Sequence, residues 1–324
     1  MSSGSRCITG VGLGLRWELA AELVECLPEI DFLEVSPENY IGRGGYHADA
    51  VEYLAHRYPL LTHGLSLSLG GTDPFDPVYL ADLRDFIARY GSPWHSDHLS
   101  FGTSDGRALH DLLPIAFTRA GVRRLVSRIE RARDAIGVPL AVENISFYLP
   151  PDPGEMPEAE FIAEVCDRAD CGMLLDVNNL FVNATNFGFD PAAWLATVPL
   201  HRVVQIHVAG HEWFDENLAP MAPGAAGALI VDTHGADVPG SVFGLLADVL
   251  AKTGPVPIVL ERDHRIPSLE ALLAEIGAVK RVVASATPEK CADLAELSEP
   301  GSEGEGAHSV SVRSLESLAE RHGV

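Results

Sequence analysis

PLAVEN, residues 139–144, and LLDVNN, residues 174–179, each run apolar side chains straight into a carboxylate. Apolar runs this short, bounded by polar residues, read as buried strands. Between them lies a helical pattern near residues 157–168. Strand, helix and strand with no hairpin turn is the parallel β–α–β unit. The alternation continues outward in both directions. Upstream, strands are expected at residues 94–98, at the start of LLTHGLSLS (60–68), at DFLEV (31–35) and at 8–13. Helical patterns separate them at 16–26, 46–57 and 77–90, and a long Arg- and Leu-rich helix is expected from about 112 to 136. Downstream, HRVVQIHVAGH (201–211) and PIVLERD (257–263) carry two more strands, and a last helix begins near Ser268. Eight strands alternating with helices predict an α/β fold, a (β/α)8 TIM barrel, as one domain over residues 1–285. An open doubly wound sheet is the competing architecture. Its dinucleotide signature is absent, since the first strand's glycines read Gly10, Gly12, Gly14 rather than GxGxxG.

After Ser285 the composition turns to Glu, Gly and Ser, as in SEPGSEGEGAHS. Residues 286–324 are expected to form an acidic, disordered tail with a short helix at 314–321. The 324 residues carry a formal net charge of -23, which weighs against nucleic acid and against an anionic membrane surface. No apolar run approaches the roughly 18 residues of a membrane span, and the N-terminus does not read as a signal peptide. The five cysteines include no CxxC pair, so neither a disulfide framework nor a thiolate zinc site is expected. Cytoplasm is the expected compartment.

Six of the eight strands end in a potential metal ligand: His63, His98, Glu143, Asp176, His207 and Glu261. In a parallel barrel the C-terminal strand ends meet at one mouth, where active sites sit. Singly, each residue has a bland explanation, such as a hydrogen-bonded core histidine or a salt-bridged glutamate. Together they would repel or require desolvation unless cations balanced them. Asn179 and His211 lie just beyond two of these strands, and LIVDTHG adds Asp232 and His234. An Asp-x-His pair in extended backbone points both side chains the same way. The donors are nitrogen and oxygen without sulfur, which suits Fe, Mn or Zn. They are numerous enough for two or three ions if carboxylates bridge.

The motifs DFLEVSPENYIGRGG, LTHGLSLS, SDHLSF, AVENIS, LLDVNNL, QIHVAGH, VDTHG and LERD together resemble the DUF692 family. These are multinuclear non-heme iron-dependent oxidases (MNIOs), with relatives that include the methanobactin biosynthesis oxidase and a thiaglutamate-pathway enzyme. The resemblance covers residues 10–283. It implies a TIM barrel with two or three irons, in mixed Fe(II)/Fe(III) states. It implies that His63, His98 and Glu143 hold one iron. Asp176, His207 and Glu261 would serve a second, with Glu143 bridging, and Asn179, Asp232 and His234 a third. His211 is placed as a ligand or as the partner of one. The family uses O2 to modify ribosomally synthesised precursor peptides in natural-product (RiPP) biosynthesis, often at cysteine, and several members work with a small partner protein that presents the peptide. Glu38, Asn39 and Tyr40, in the glycine-rich SPENYIGRGG loop, are expected to line the substrate entrance. A metal-dependent isomerase or hydrolase of the xylose isomerase or endonuclease IV type is the alternative, and a non-catalytic metal-binding scaffold is a third.

Overall fold

Side chains in a β-strand alternate between its two faces, and here the two faces fill two different apolar compartments. Leu33, Val35, Leu60, Leu140, Val142, Met173, Leu175, Ile206, Val208, Ile258 and Leu260 belong to one large core with the helices. Phe32, Leu61 and Val259, which alternate with them, join Ile8 in a small separate cluster with Trp94 against it. Two compartments of such unequal size are what a closed barrel produces: a thick layer under the helices and a narrow plug inside the ring.

The computed structural model describes residues 8–149, 154–214 and 229–286. The expected tail helix at 314–321 lies outside them, as does all but residue 286 of the tail. The barrel strands are β1 (Val11–Gly14), β2 (Leu33–Val35), β3 (Leu60–Gly64) and β4 (His95–His98), then β7 (Leu140–Glu143), β8 (Gly172–Asp176), β9 (Val203–Val208) and β12 (Ile258–Leu260). Each pairs in parallel with its neighbours in chain order, and β12 closes on β1 through Val11↔Ile258 and Leu13↔Leu260. The predicted TIM barrel is therefore the observed fold. The plug is tight at Gly12, where a Cβ would meet the Phe32 ring at 2.5 Å.

Helices α1 (Ala20–Cys26), α2 (Tyr46–Ala55), α3 (Pro77–Tyr90), α4 (Arg119–Ile136), α5 (Glu158–Ala169) and α9 (Leu269–Ala286) fall near their expected places. Three more were not anticipated: α6 (Val177–Phe187), α7 (Pro191–Thr197) and α8 (Gly240–Thr253). α6 starts without a loop, because Asp176 both ends β8 and caps the helix by accepting from Asn179 N at 2.6 Å.

One correction concerns the long helix expected from residue 112. Residues 100–114 instead form an antiparallel hairpin, β5 (Ser100–Ser104) with β6 (Arg107–Pro114), and α4 begins at Arg119 after the Thr118 cap. A second hairpin joins β10 (Glu212–Phe214) to β11 (Leu229–Val231). Both hairpins follow C-terminal strand ends, so both stand at the barrel mouth. Among the described residues no helix is long and apolar enough to cross a membrane.

Candidate metal centre

Because Leu61 and Val259 point into the barrel, the residues two further along, His63 and Glu261, point inward one layer higher. The same period brings His98, Glu143, Asp176 and His207 to the axis. All six are buried, none more than 7% exposed. They form overlapping groups whose ligand atoms lie within 4.8 Å of one another: His63, His98 and Glu143; Glu143, Asp176 and His207; Asp176, His234 and Glu261; and Glu34, His63 and His207.

The tautomers follow from the hydrogen bonds. His98 Nδ1 donates to the Gly64 carbonyl at 3.2 Å. His63 Nδ1 is 2.9 Å from Ser96 Oγ, whose own proton goes to the Thr62 carbonyl. Both rings are thus protonated at Nδ1 and turn the Nε2 lone pair to the axis. Those two nitrogens are 3.3 Å apart, and each is 3.2–3.3 Å from Glu143 Oε2. Three lone-pair donors facing one another is an arrangement that a cation resolves. Burial, with His98 and His207 alongside, holds His63 well below the ordinary histidine pKa, so it stays neutral and able to ligate.

Further donors have no hydrogen bond to satisfy them. Glu143 Oε2, Asp176 Oδ2, Asn179 Oδ1, His207 Nδ1 and His234 Nε2 are buried without a hydrogen-bond partner among the described residues. Several have close neighbours all the same: His207 Nδ1 is 3.2 Å from Glu261 Oε2 and 3.6 Å from Glu143 Oε1, and His234 Nε2 is 2.8 Å from Asp232 Oδ1. The distances are short but the directions are wrong for hydrogen bonds. Groups so placed are aimed at a common point rather than at each other, and an all-N/O donor set of this kind fits a first-row metal ion.

Without cations, protons take over part of the balance. Burial works to keep His207 and His234 neutral, but their carboxylates outweigh it, Glu261 and Glu34 at His207, Asp232 and Glu261 at His234. Both histidines rise well above the ordinary value. Burial would raise Glu261, yet His207 and His234 hold it well below the usual carboxylate range. Asp176 goes the other way, pushed well up by burial and by Glu143 and Asp232.

The sequence-derived candidates separate into three kinds. His63, His98, Glu143, Asp176, His207, His234 and Glu261 converge on the axis. Asn179 joins them at the cavity wall, its Nδ2 donating to the Asn144 carbonyl at 3.0 Å and its Oδ1 left over. Asp232 lies beside His234, held by Ser146 Oγ at 3.1 Å and Asn178 Nδ2 at 2.7 Å. His234 falls in one group with Asp176 and Glu261. The extended Asp-x-His geometry does not hold: β11 ends at Val231, and His234 has a left-handed φ of 47°. The two side chains meet through that turn.

His211 is in none of the groups. Its Nδ1 donates to Asn178 Oδ1 at 2.8 Å and its ring stacks on Phe181, so it reaches Asp232 only through Asn178. Of the SPENY residues, Asn39 lines the cavity above the axis. Glu38 Oε1 instead accepts from Leu65 N, Ser66 N and Tyr79 OH. Tyr40 is buried against Phe86, and that burial pushes its hydroxyl up to about 12. Those two side chains hold the loop that carries Asn39.

Two residues escaped the sequence reading. Glu34, buried in β2, touches His207 Nε2 at 3.1 Å. Its visible signal was an acid inside the apolar run FLEV. Asp263 accepts from His234 Nδ1 at 2.8 Å and from Arg16, and it was legible only as the last letter of LERD.

The cluster floors a cavity of about 660 Å³, walled by Leu112 and Pro114 of the first hairpin, Ile145, Phe147 and Tyr148 after β7, and Arg16 after β1. A sequence model of the RiPP precursor modification enzymes MbnB/TglH/ChrH matches residues 10–284. A UPF0276 protein of Anaeromyxobacter sp. is 40% identical over 282 residues, 87% of this chain and 95% of that protein. Another, of Shewanella amazonensis, is 42% identical over 276 residues, 85% of this chain and 95% of its own. Among solved structures, D-psicose 3-epimerase from Clostridium cellulolyticum H10 matches with a TM-score of 0.51 at 12% identity, covering 89% of this chain and 98% of that one. That likeness is one of fold alone.

Proposed function

The chain belongs to the family of RiPP precursor modification enzymes, and on that premise we propose that it is an iron- and O2-dependent oxidase acting on a precursor peptide, at cysteine. The observation that carries this reading is the floor of the cavity: buried nitrogen and oxygen donors that face one another without hydrogen bonds. Iron held there would supply a Lewis acid that lowers the pKa of a bound thiol and a redox couple for O2.

The chain's own residues do the rest. Glu143 turns Oε2 to His63 and His98 and Oε1 to His207, so one carboxylate serves two adjacent positions. Asp176 belongs to two groups as well. Two or three ions would therefore be held by fewer ligands than separate sites need. Ile145, Phe147, Leu112 and Leu113 keep water from the bound residue, while Asn39 offers a polar contact to the peptide backbone. A small partner protein that presents the peptide is part of the same proposal.

The test is metal analysis with Mössbauer spectroscopy on protein purified anaerobically from iron-supplemented cells. Two or three irons per chain are expected, with fewer after His98→Ala or Asp232→Ala. Oxygen should then convert a precursor peptide encoded beside the gene, read by mass spectrometry. One zinc or manganese with no coupled iron signal would overturn the oxidase reading in favour of a metal-dependent isomerase or hydrolase. Iron-loaded protein inert toward every neighbouring peptide would favour the scaffold.

A further inference from the structure

Below the ligand layer the barrel carries a polar chain of which only Glu34 and His207 belong to a metal group. Trp94 Nε1 can only donate, and it donates to Gln205 Oε1 at 3.0 Å. That fixes the Gln205 amide, so its Nε2 faces Glu34 and donates to Oε2. His207 Nε2 meets the same oxygen at 3.1 Å with proper hydrogen-bond direction. Gln205 and His207 are two apart on β9 and share the inner face. Glu34 is in register with Leu61, two residues below His63, and His207 with Val259, two below Glu261. The ring of His207 thus stands between the Trp94–Gln205–Glu34 chain and the ligand layer, with Nε2 down and Nδ1 up.

We propose that Glu34, itself oriented by Gln205 and Trp94, is a positioning residue that fixes His207 as an Nε2-protonated ring presenting Nδ1 to the metal. The inference rests on the metal-centre reading above. The competing arrangement has Gln205 Nε2 donating to His207 Nε2, 2.9 Å away. It would put the proton on Nδ1, where Glu261 and Glu143 are near but lie in directions that make no hydrogen bond. A second competitor makes Glu34 a ligand, since its carboxylate lies within reach of His63 and His207. Against it, Oε2 already receives two donors, and in metal sites a ligating histidine commonly gives its other N–H to such a carboxylate.

The test loads the full-length protein with Zn(II), a diamagnetic probe, and reads the 15N-labelled histidines by long-range 1H–15N NMR, with His207→Gln to assign the ring. The expected result is a metal-bound Nδ1 and a protonated Nε2. Chelator competition then measures Zn(II) affinity. Glu34→Ala is expected to weaken it roughly ten- to a hundredfold. Glu34→Gln, which keeps an acceptor oxygen, should recover most of that loss, and Trp94→Phe, which frees the Gln205 amide, should lose an intermediate amount. If Glu34→Ala does not fold, the Gln and Phe variants carry the comparison. Metal on Nε2, or a Glu34→Gln variant no better than Glu34→Ala, would overturn the proposal and make Glu34 a ligand. Unchanged affinity and tautomer with only a lowered Tm would overturn it in favour of a packing role. A chain that takes up neither Zn(II) nor Fe(II) would fail the metal-centre reading itself, which the NMR result on a loaded protein cannot do.

Discussion

Asn144 shows how a single side chain can fix the distance between two candidate ligands. It follows Glu143 directly, and its amide spans to the next strand, Nδ2 donating to the Asp176 carbonyl at 2.9 Å and Oδ1 accepting from Asp176 N at 3.0 Å. Both ends of the bridge are buried, so truncation strands two backbone groups away from water. Each such group costs about 1–3 kcal/mol. Asn144→Ala is therefore expected to destabilise the metal-free protein by about 2–6 kcal/mol in urea unfolding, and to loosen Asp176 relative to Glu143 so that metal affinity falls too. A loss under about 0.5 kcal/mol would mean that water fills the gap. At this scale the sequence was readable where chemistry and position coincided. His98 and Glu143 are the final residues of their strands, and for Glu143 a carboxylate after the apolar run LAV is visible in one dimension. The role of Glu34 was not readable. Its partners Gln205 and His207 are 171 and 173 residues away, and an acid inside FLEV signals burial without naming what it meets.

The elements that the sequence misrepresented are those at the mouth. In RALHDLLPIAF the apolar residues Leu109, Leu112 and Leu113 fall at helical spacing, i, i+3 and i+4. The chain forms β6 instead, whose pairing with β5 skips between Phe101 and Thr103. The surplus residues bulge outward, with His110 at a left-handed φ of 55°. That bulge carries Asp111 and Leu112 to the cavity wall. Most barrel strands escaped such misreading because they are buried on both faces and read as short apolar runs; β4, HSDH, is buried but wholly polar. The hairpin contains none of the converging ligands, which leads to a clean prediction. Residues 102–112 can be replaced by an Asn-Gly turn joining Phe101 to Leu113, which already face each other in register. The shortened protein should bind as much metal as the parent while peptide conversion falls at least tenfold, measured side by side by metal analysis and mass spectrometry. Loss of metal along with conversion would show that the hairpin supports the ligands themselves.

For the whole molecule, the barrel draws carboxylates together that the chain keeps far apart, and the net charge of -23 means that the rest of the protein does little to neutralise them. The metal-free state compensates with protons, and that compensation has a definite pH signature. His207 and His234 have raised pKa values when folded, because Glu261 and Glu34, and Asp232 and Glu261, outweigh burial. A histidine raised above its unfolded value of about 6.5 contributes stability in full below that pH and loses it as the pH climbs through the folded value. Asp176 and Asp97, pushed up chiefly by burial, have the same sign, starting from the carboxylate range. His63 and His95, which burial holds down, His95 to about 3, have the opposite sign, and they weaken the fold as the pH drops below about 6.5. Metal-free protein should therefore be most stable near neutrality, with Tm falling toward alkaline pH. Bound metal is expected to remove the alkaline limb, since ligation would displace the protons from His207 and His234 and balance their carboxylates. Calorimetry from pH 6 to pH 9, with and without metal, should show the two curves diverging as the pH rises. Parallel curves would mean that His207 and His234 do not hold the protons of the empty site, and that its carboxylates are balanced in some other way.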